Sequence, residues 1–444
     1  RSFNGSQQRL ATSAVLYITY SQRQQLDTSA LSLNNRRQFT THTQKGRSMS
    51  EEYLHGVKVT EINQAIRTIQ SLSTAVIGIV CTANDADNET FPLNEPVLIT
   101  NVAAAIGKAG KQGTLSRALD GISDVVNCKV IVVRVQESAQ EDEETKASEM
   151  NTAIIGTITE EGQYTGLKAL LIAKNKFGIK PRILCVPKFD TKEVATELAS
   201  IAAKLNAFAY ISCQGCKTKE QAVQYKRNFS QREVMLIMGD FLSFNVNTSK
   251  VEIDYAVTRA AAMRAYLDKE QGWHTSISNK GINGVSGVTQ PLYFDINDSS
   301  TDVNYLNEQG ITCCVNHNGF RFWGLRTTAE DPLFKFEVYT RTAQILKDTI
   351  AGAFDWAVDK DISVTLVKDI IEAINAKWRD YTTKGYLIGG NAWLNKELNS
   401  ATNLKDAKLL ISYDYHPVPP LEQLGFNQYI SDEYLVDFSN RLAS

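Results

Sequence analysis

The chain has 444 residues, 43% hydrophobic and 22% charged, an ordinary globular balance too long for one core, so two or three domains are expected. The first 48 residues hold seven Lys/Arg and one acid, whereas from Met49 onward 40 Lys/Arg face 48 acids, and an acidic body argues against a nucleic-acid binder. No apolar run approaches the ~18–20 residues of a membrane span; the longest, Ala75–Cys81, has strand length.

Residues 1–48 are rich in Ser, Thr, Gln, Asn and Arg and bury little beyond Ala14–Ile18, so they read as a disordered upstream extension ahead of a native-looking start at Met49. Residues 49–68 form an N-terminal arm in which Val57, Val59 and Ile62 alternate without a neighbouring hairpin partner. From residue 75 the pattern is α/β. Strands are expected at 75–81, 129–135, 182–187, 208–213 and 233–238, and helices at 101–109, 115–126, 191–205, 218–228 and 254–271. Such alternation favours a largely parallel sheet covered on both faces. The acidic run Glu137–Glu144 reads as a solvated loop or helix start, polar 240–252 as a connection, and Gly/Ser/Asn-rich 276–300 as a domain boundary.

After that boundary the stretch Gly319–Thr327 alternates aromatic and charged residues, as a half-buried strand does. Asp331-Pro332 opens a helix whose apolar positions Phe336, Tyr339, Ala343, Leu346, Ile350 and Phe354 share one face. Ser363 caps a second helix with Val367, Ile370, Ile374, Trp378 and Tyr381 on one face and Lys368, Glu372 and Arg379 on the other; Gly385 stops it. Strands are expected next at 386–393 and 408–415. Pro417, Pro419 and Pro420 then hold the backbone extended ahead of an apolar C-terminal arm, 421–444, carrying Leu424, Phe426, Tyr429 and Ile430. The outer α/β region is thus set at 69–300 and an α+β domain at 301–420.

Chemistry is hard to find. The chain lacks the phosphate-binding glycine motifs and a nucleophile elbow, and Gly281–Gly287 lacks the lysine a P-loop needs. The five His are scattered, Asp85 and Asp87 sit in a turn-like cluster, and Cys213-Gln-Gly-Cys216 has no second pair for zinc. Buried free thiols are the plainer reading of that pair, a redox role the alternative. No catalytic, cofactor-binding or metal-binding residue and no cofactor is assigned.

A resemblance covers the chain from about Met49 to the end. Its motifs are His55-Gly-Val, Ala83-Asn-Asp-Ala-Asp, Gly162-Gln-Tyr-Thr-Gly-Leu-Lys, Lys180-Pro-Arg-Ile-Leu, Gln271-Gly-Trp-His, Asn283-Gly-Val, Gly319-Phe-Arg-Phe-Trp-Gly-Leu-Arg-Thr, Tyr339-Thr-Arg-Thr-Ala-Gln, Trp356-Ala-Val-Asp-Lys and Pro417-Val-Pro-Pro-Leu-Glu. In this order they resemble the tail sheath proteins of contractile-tailed phages, of the type found in temperate phages of enteric bacteria. The resemblance implies a non-enzymatic subunit that polymerises as stacked hexameric rings around a tail tube and contracts to drive the tube through the host envelope for genome ejection. It implies further copies of the chain, the tail tube protein, and baseplate and tail terminator proteins as partners, with no nucleic acid and no direct membrane contact. It places the chain in the virion tail, assembled in the host bacterial cytoplasm. It puts the 301–420 domain against the tube, with Lys368, Glu372 and Arg379 as tube-facing candidates, and makes Val57, Val59, Ile62, Leu424, Phe426, Tyr429 and Ile430 strands paired to other subunits. The sheath of a bacteriocin or another contractile injection device reads the same way; an α/β nucleotide-binding enzyme built on 75–271 is the second class of reading.

Overall fold

The computed structural model describes Ile69 and residues 73–442. The expectations for 1–48 and for the arm residues Val57, Val59 and Ile62 lie outside the described residues.

Thirteen strands are present among the described residues, in chain order: β1 (Val76–Thr82), β2 (Pro96–Ile99), β3 (Lys129–Val135), β4 (Ile183–Cys185), β5 (Phe208–Ser212), β6 (Val234–Met238), β7 (Phe241–Asn245), β8 (Lys250–Asp254), β9 (Gly287–Val288), β10 (Ile311–Asn316), β11 (Phe320–Trp323), β12 (Leu387–Leu394) and β13 (Ile411–Pro417). The helices are α1 (Val102–Ile106), α2 (Leu115–Ser123), α3 (Glu143–Ile155), α4 (Ala173–Phe177), α5 (Lys192–Leu205), α6 (Lys219–Lys226), α7 (Ala256–Glu270), α8 (Asp302–Glu308), α9 (Glu337–Ala353), α10 (Val364–Thr383), α11 (Ala401–Lys405) and α12 (Glu433–Leu442). The mixed α/β class expected from the pattern is the one observed.

One eight-stranded sheet in the order β11-β10-β6-β5-β4-β1-β3-β2 carries the body. Its inner strands run parallel, and antiparallel β2 and β11 close the two edges. Successive residues of β1 point to opposite faces, so Ile77, Ile79 and Cys81 enter one core with helices α1, α2 and α7. Val76 and Val80 enter the other core, which α3, α5, α6 and α8 cover. Both faces are buried, which is why these strands are continuous apolar runs rather than alternating ones.

Three expectations need correction. Residues 240–252 are not a connection: β7 and β8 form a hairpin, with Phe241 paired to Asp254 and Phe244 to Val251. Their apolar residues alternate with Ser243 and Asn245, and Arg117 donates to the carbonyls of Ser243 and Ile253, tying the hairpin to α2. The boundary at 276–300 does not separate two bodies. Strand β10 lies parallel to β6, and β11 pairs with β10, so the Gly319–Thr327 stretch belongs to the body sheet. The reason is packing: Phe322 is fully buried against Phe241, with ring centroids 5.2 Å apart.

The third correction concerns the helix expected from Asp331. Asp331 does cap a turn, accepting from the Leu333 N–H, but the turn is a short 3-10 segment and α9 starts only at Glu337. The first half of α9 buries its polar side, including Glu337, Arg341 and Gln344, while Tyr339 is half-buried. Periodicity alone pointed to the apolar face as the buried one. Both sides are used: Leu346 of the apolar face is fully buried and Ile350 and Phe354 pack against the C-terminal core, while the polar side is buried as well because the body offers it charged partners.

Those partners form a buried chain. Tyr210 donates to Glu337, which lies 3.5 Å from Arg264; Arg264 donates to Asp268 at 2.8 Å. Arg341 pairs with Asp268 and donates to the Arg182 carbonyl at 2.9 Å, while Arg182 and Lys180 both pair with Asp348. Burial works against the Arg264 charge, but Asp268 and Glu337 outweigh it and raise its pKa. The same anionic Glu337, after burial itself, pushes the Tyr210 phenol up. Through this chain α9 is fixed to α7 and to the N-terminal ends of the sheet strands.

Candidate assembly surface

The C-terminal module is built on its own small core of Ile345, Leu346, Ile370, Ile374, Trp378, Tyr381, Leu387 and Ala392, which Trp273 from the body joins. Helix α10 forms where the sequence places it. Ser363 caps it by accepting from the Leu366 N–H at 3.1 Å, and Gly385 leaves it at a φ of +74°. The face carrying Ile370, Ile374, Trp378 and Tyr381 is buried. Hairpin β12–β13 lies across it, and Gly390 is required there because a Cβ would stand 2.7 Å from the Trp378 ring. Lys368, Glu372 and Arg379 are all exposed, and Arg379 donates to Glu372 at 2.6 Å. An ion pair this exposed contributes at most ~1 kcal/mol to the fold.

Among the described residues β12 and β13 form a two-stranded sheet with no third strand on either outer edge. Two strands rarely stand alone, and an open edge offers backbone N–H and C=O groups to a further strand, although the Asn375 side chain already takes both groups of Ala392 in β12. β13 ends at Pro417, and the chain then runs through Pro419 and Pro420 with no regular secondary structure as far as Ser431. Within this segment Leu424, Phe426, Tyr429 and Ile430 are 64%, 83%, 83% and 95% exposed. The root of the segment is held: Arg326 donates to Glu422 through two nitrogens, at 2.6 and 3.0 Å, and Lys335 reaches the same carboxylate at 3.4 Å. Helix α12, beyond it, leaves Tyr434, Leu435, Phe438 and Leu442 exposed. So many adjacent apolar side chains in water mark a contact surface.

The residues weighed for chemistry have structural duties. Asp85 accepts from the Lys111 and Gln112 N–H groups, and Asp87 from the Glu89 N–H and the Thr90 hydroxyl, so each ties a loop. All seven cysteines are free and buried, and burial pushes the Cys81 and Cys128 thiols up to about 12. His274 stacks on Tyr386, His317 lies against Trp323 and His416 against Tyr339, three separate places. Among the described residues no His/Cys/Asp/Glu cluster could hold a metal, and no helix is long and apolar enough to cross a membrane.

Residues 162–328 match the phage tail sheath protein central domain, 329–431 the phage tail sheath C-terminal domain, and 74–135 the domain III N-terminal region of the Gp18 tail sheath protein. The tail sheath protein of Escherichia phage P2 is 53% identical over 386 residues, which span 87% of this chain and 98% of the relative. This chain belongs to the phage tail sheath protein family. The major tail sheath protein of Serratia phage KSP20 is 44% identical over the same share of this chain and 97% of its own length. Among solved structures, the contracted helical sheath of the anti-feeding prophage superposes with a TM-score of 0.63 at 16% identity, covering 86% of this chain and all of that one. The sheath of an extracellular contractile injection system in its contracted state superposes at 0.61 and 14% identity, over 87% of this chain and 99% of that one. The sheath fold therefore persists where little sequence does. The start of the C-terminal family domain, at residue 329, falls beside α9 rather than in the 276–300 loop. Sequence reasoning missed Arg326 and Glu422 as a pair, although each stands in a motif that carried the resemblance.

Proposed function

We propose that this sheath-family chain is the repeating subunit of a contractile tail sheath, a structural and non-enzymatic component of the virion tail. Copies polymerise as stacked hexameric rings around a tail tube, and contraction drives the tube through the host envelope. The observation that carries this reading is the anchored but unpaired segment after β13, whose apolar side chains stand in water beside a sheet with two open edges. Leu424, Phe426, Tyr429 and Ile430 pair as a strand with an open edge of the β12–β13 sheet of another copy, giving main-chain hydrogen bonds and side-chain pockets together. Val57, Val59 and Ile62 supply the matching N-terminal strand. A contact that joins different surfaces of two copies leaves each copy free to receive the next, so it repeats from subunit to subunit, closing into a ring or propagating as a helix according to its rotation.

The exposed face of α10, with Lys368, Glu372 and Arg379, meets the tail tube protein. Baseplate and tail terminator proteins meet the two ends of the polymer, and assembly takes place in the host bacterial cytoplasm. Energy for contraction resides in a metastable packing of the subunits rather than in a cofactor or nucleotide. Deleting Leu421–Ser444 tests the reading: the truncated chain is expected to remain a folded, soluble monomer and to lose the cylinders seen by negative-stain microscopy for the full chain. Cylinders formed by the truncated chain would remove the arm from the mesh.

A further inference from the structure

The N-terminal edge of the body sheet carries more positive charge than its own acids neutralise. Lys180 and Arg182 share the single carboxylate of Asp348. Lys174 on α4 and Lys347 on α9 stand exposed beside them, and neither has an ion pair among the described residues. Lys174 and Lys347 are close enough that their charges, after burial and Arg182, help bring the Lys180 amine down to about 8. The strands fix the location: the Arg182 N–H donates to the Val76 carbonyl, where β1 begins.

The opposite end of the same sheet is acidic. Glu141, Asp142, Glu143 and Glu144 lie just past the C-terminal end of β3 and are exposed. Asp142 is occupied as the cap of α3, accepting from the Thr145 N–H at 2.8 Å. Glu141, Glu143 and Glu144 are in no ion pair among the described residues. Helix α3 has 13 residues, hence a length of ~20 Å, and leads back from the acidic end. One chain cannot bring its two ends together; two copies set head to tail can.

We propose that the Lys174, Lys180 and Lys347 cluster of one subunit receives the Glu141–Glu144 segment of a neighbouring copy. The inference rests on the sheath reading and adds to it a charged contact between bodies, separate from the arms. Complementary charges at opposite ends of one molecule make a head-to-tail contact that repeats from copy to copy, as a polymer of identical subunits needs. Lys180 is half-buried, so the arriving carboxylates act through less water than on an open surface.

Two charge-reversed chains test it. Lys174→Glu with Lys347→Glu makes both ends acidic; Glu141→Lys, Glu143→Lys and Glu144→Lys make both ends basic. None of these side chains packs in a core, and melting temperature checks folding. Each variant alone is expected to need a concentration at least about tenfold higher than the wild type to form cylinders, read by light scattering and negative-stain microscopy. An equimolar mixture is expected to assemble, because the acidic ends of one then meet the basic ends of the other. Should a reversal unfold the chain, Lys174→Gln with Lys347→Gln serves in its place, with a smaller loss expected. Variants that assemble alone as the wild type does, or a mixture of folded variants that fails to recover, overturn this contact and leave the sheath reading intact. A wild type that forms no cylinders overturns both.

Discussion

Arg326 and Glu422, 96 residues apart, meet through two hydrogen bonds of 2.6 and 3.0 Å. The pair joins the stretch just past β11 to the root of the C-terminal arm. Burial raises the Glu422 carboxyl, but Arg326 and Lys335 outweigh it and hold the group below its ordinary value. The arm therefore leaves the subunit from a fixed point, and only the residues beyond Glu422 are free to reach elsewhere.

Breaking that anchor should free the arm without unfolding the body. Glu422→Gln is expected to change the unfolding free energy by no more than ~1 kcal/mol, since both partners are partly exposed. Limited proteolysis of the isolated subunit should cut between residues 418 and 431 several-fold faster. An unchanged cleavage rate would show that the prolines alone hold the root.

Reversing Lys368, Glu372 and Arg379 together is expected to leave the melting temperature within error, because all three are exposed on α10. Co-assembly with tail tube protein should weaken, and more so at low salt than at high salt. Equal binding at both ionic strengths would take this face out of the contact.

The buried charge chain predicts a large effect from a small change. Asp268→Asn leaves Arg264 and Arg341 without their shared counter-charge where neither has water access. A loss of ~3–5 kcal/mol is expected in denaturant unfolding. Asp380→Asn, at a more exposed carboxylate paired to Lys384, should cost less than ~1 kcal/mol and serves as the control.

Asp190 predicts a pH dependence. Burial raises its carboxyl from 3.8 to about 6, despite two hydrogen bonds from Ser212. Between those values the folded chain binds a proton the unfolded chain has released, so stability falls as pH rises through that window and is level above it. The contribution amounts to roughly 2–3 kcal/mol. Asp190→Asn keeps an acceptor for the Ser212 N–H and should flatten this part of the profile. A slope identical to that of the wild type would assign the titration to another group.

Much of the body was legible in the sequence because local physics set it. Runs such as Val76–Thr82 and Val234–Met238 are apolar on both faces and short, and their alternation with helical segments points to covered parallel strands. Ser363 and Gly385 bound α10 through cap chemistry that acts within one turn. What the sequence could not decide was partnership at a distance. Whether Glu337 and Arg341 face water or Arg264 and Asp268 depends on α7, some 70 residues away, and both readings share one periodicity. Likewise β11 could have begun a separate domain; the burial of Phe322 against Phe241, and pairing with β10, which itself runs parallel to β6, joined it to the body instead. Local signals name an element, and tertiary contact assigns it a neighbour, because hydrogen-bond and charge partners are chosen by folding and not by spacing.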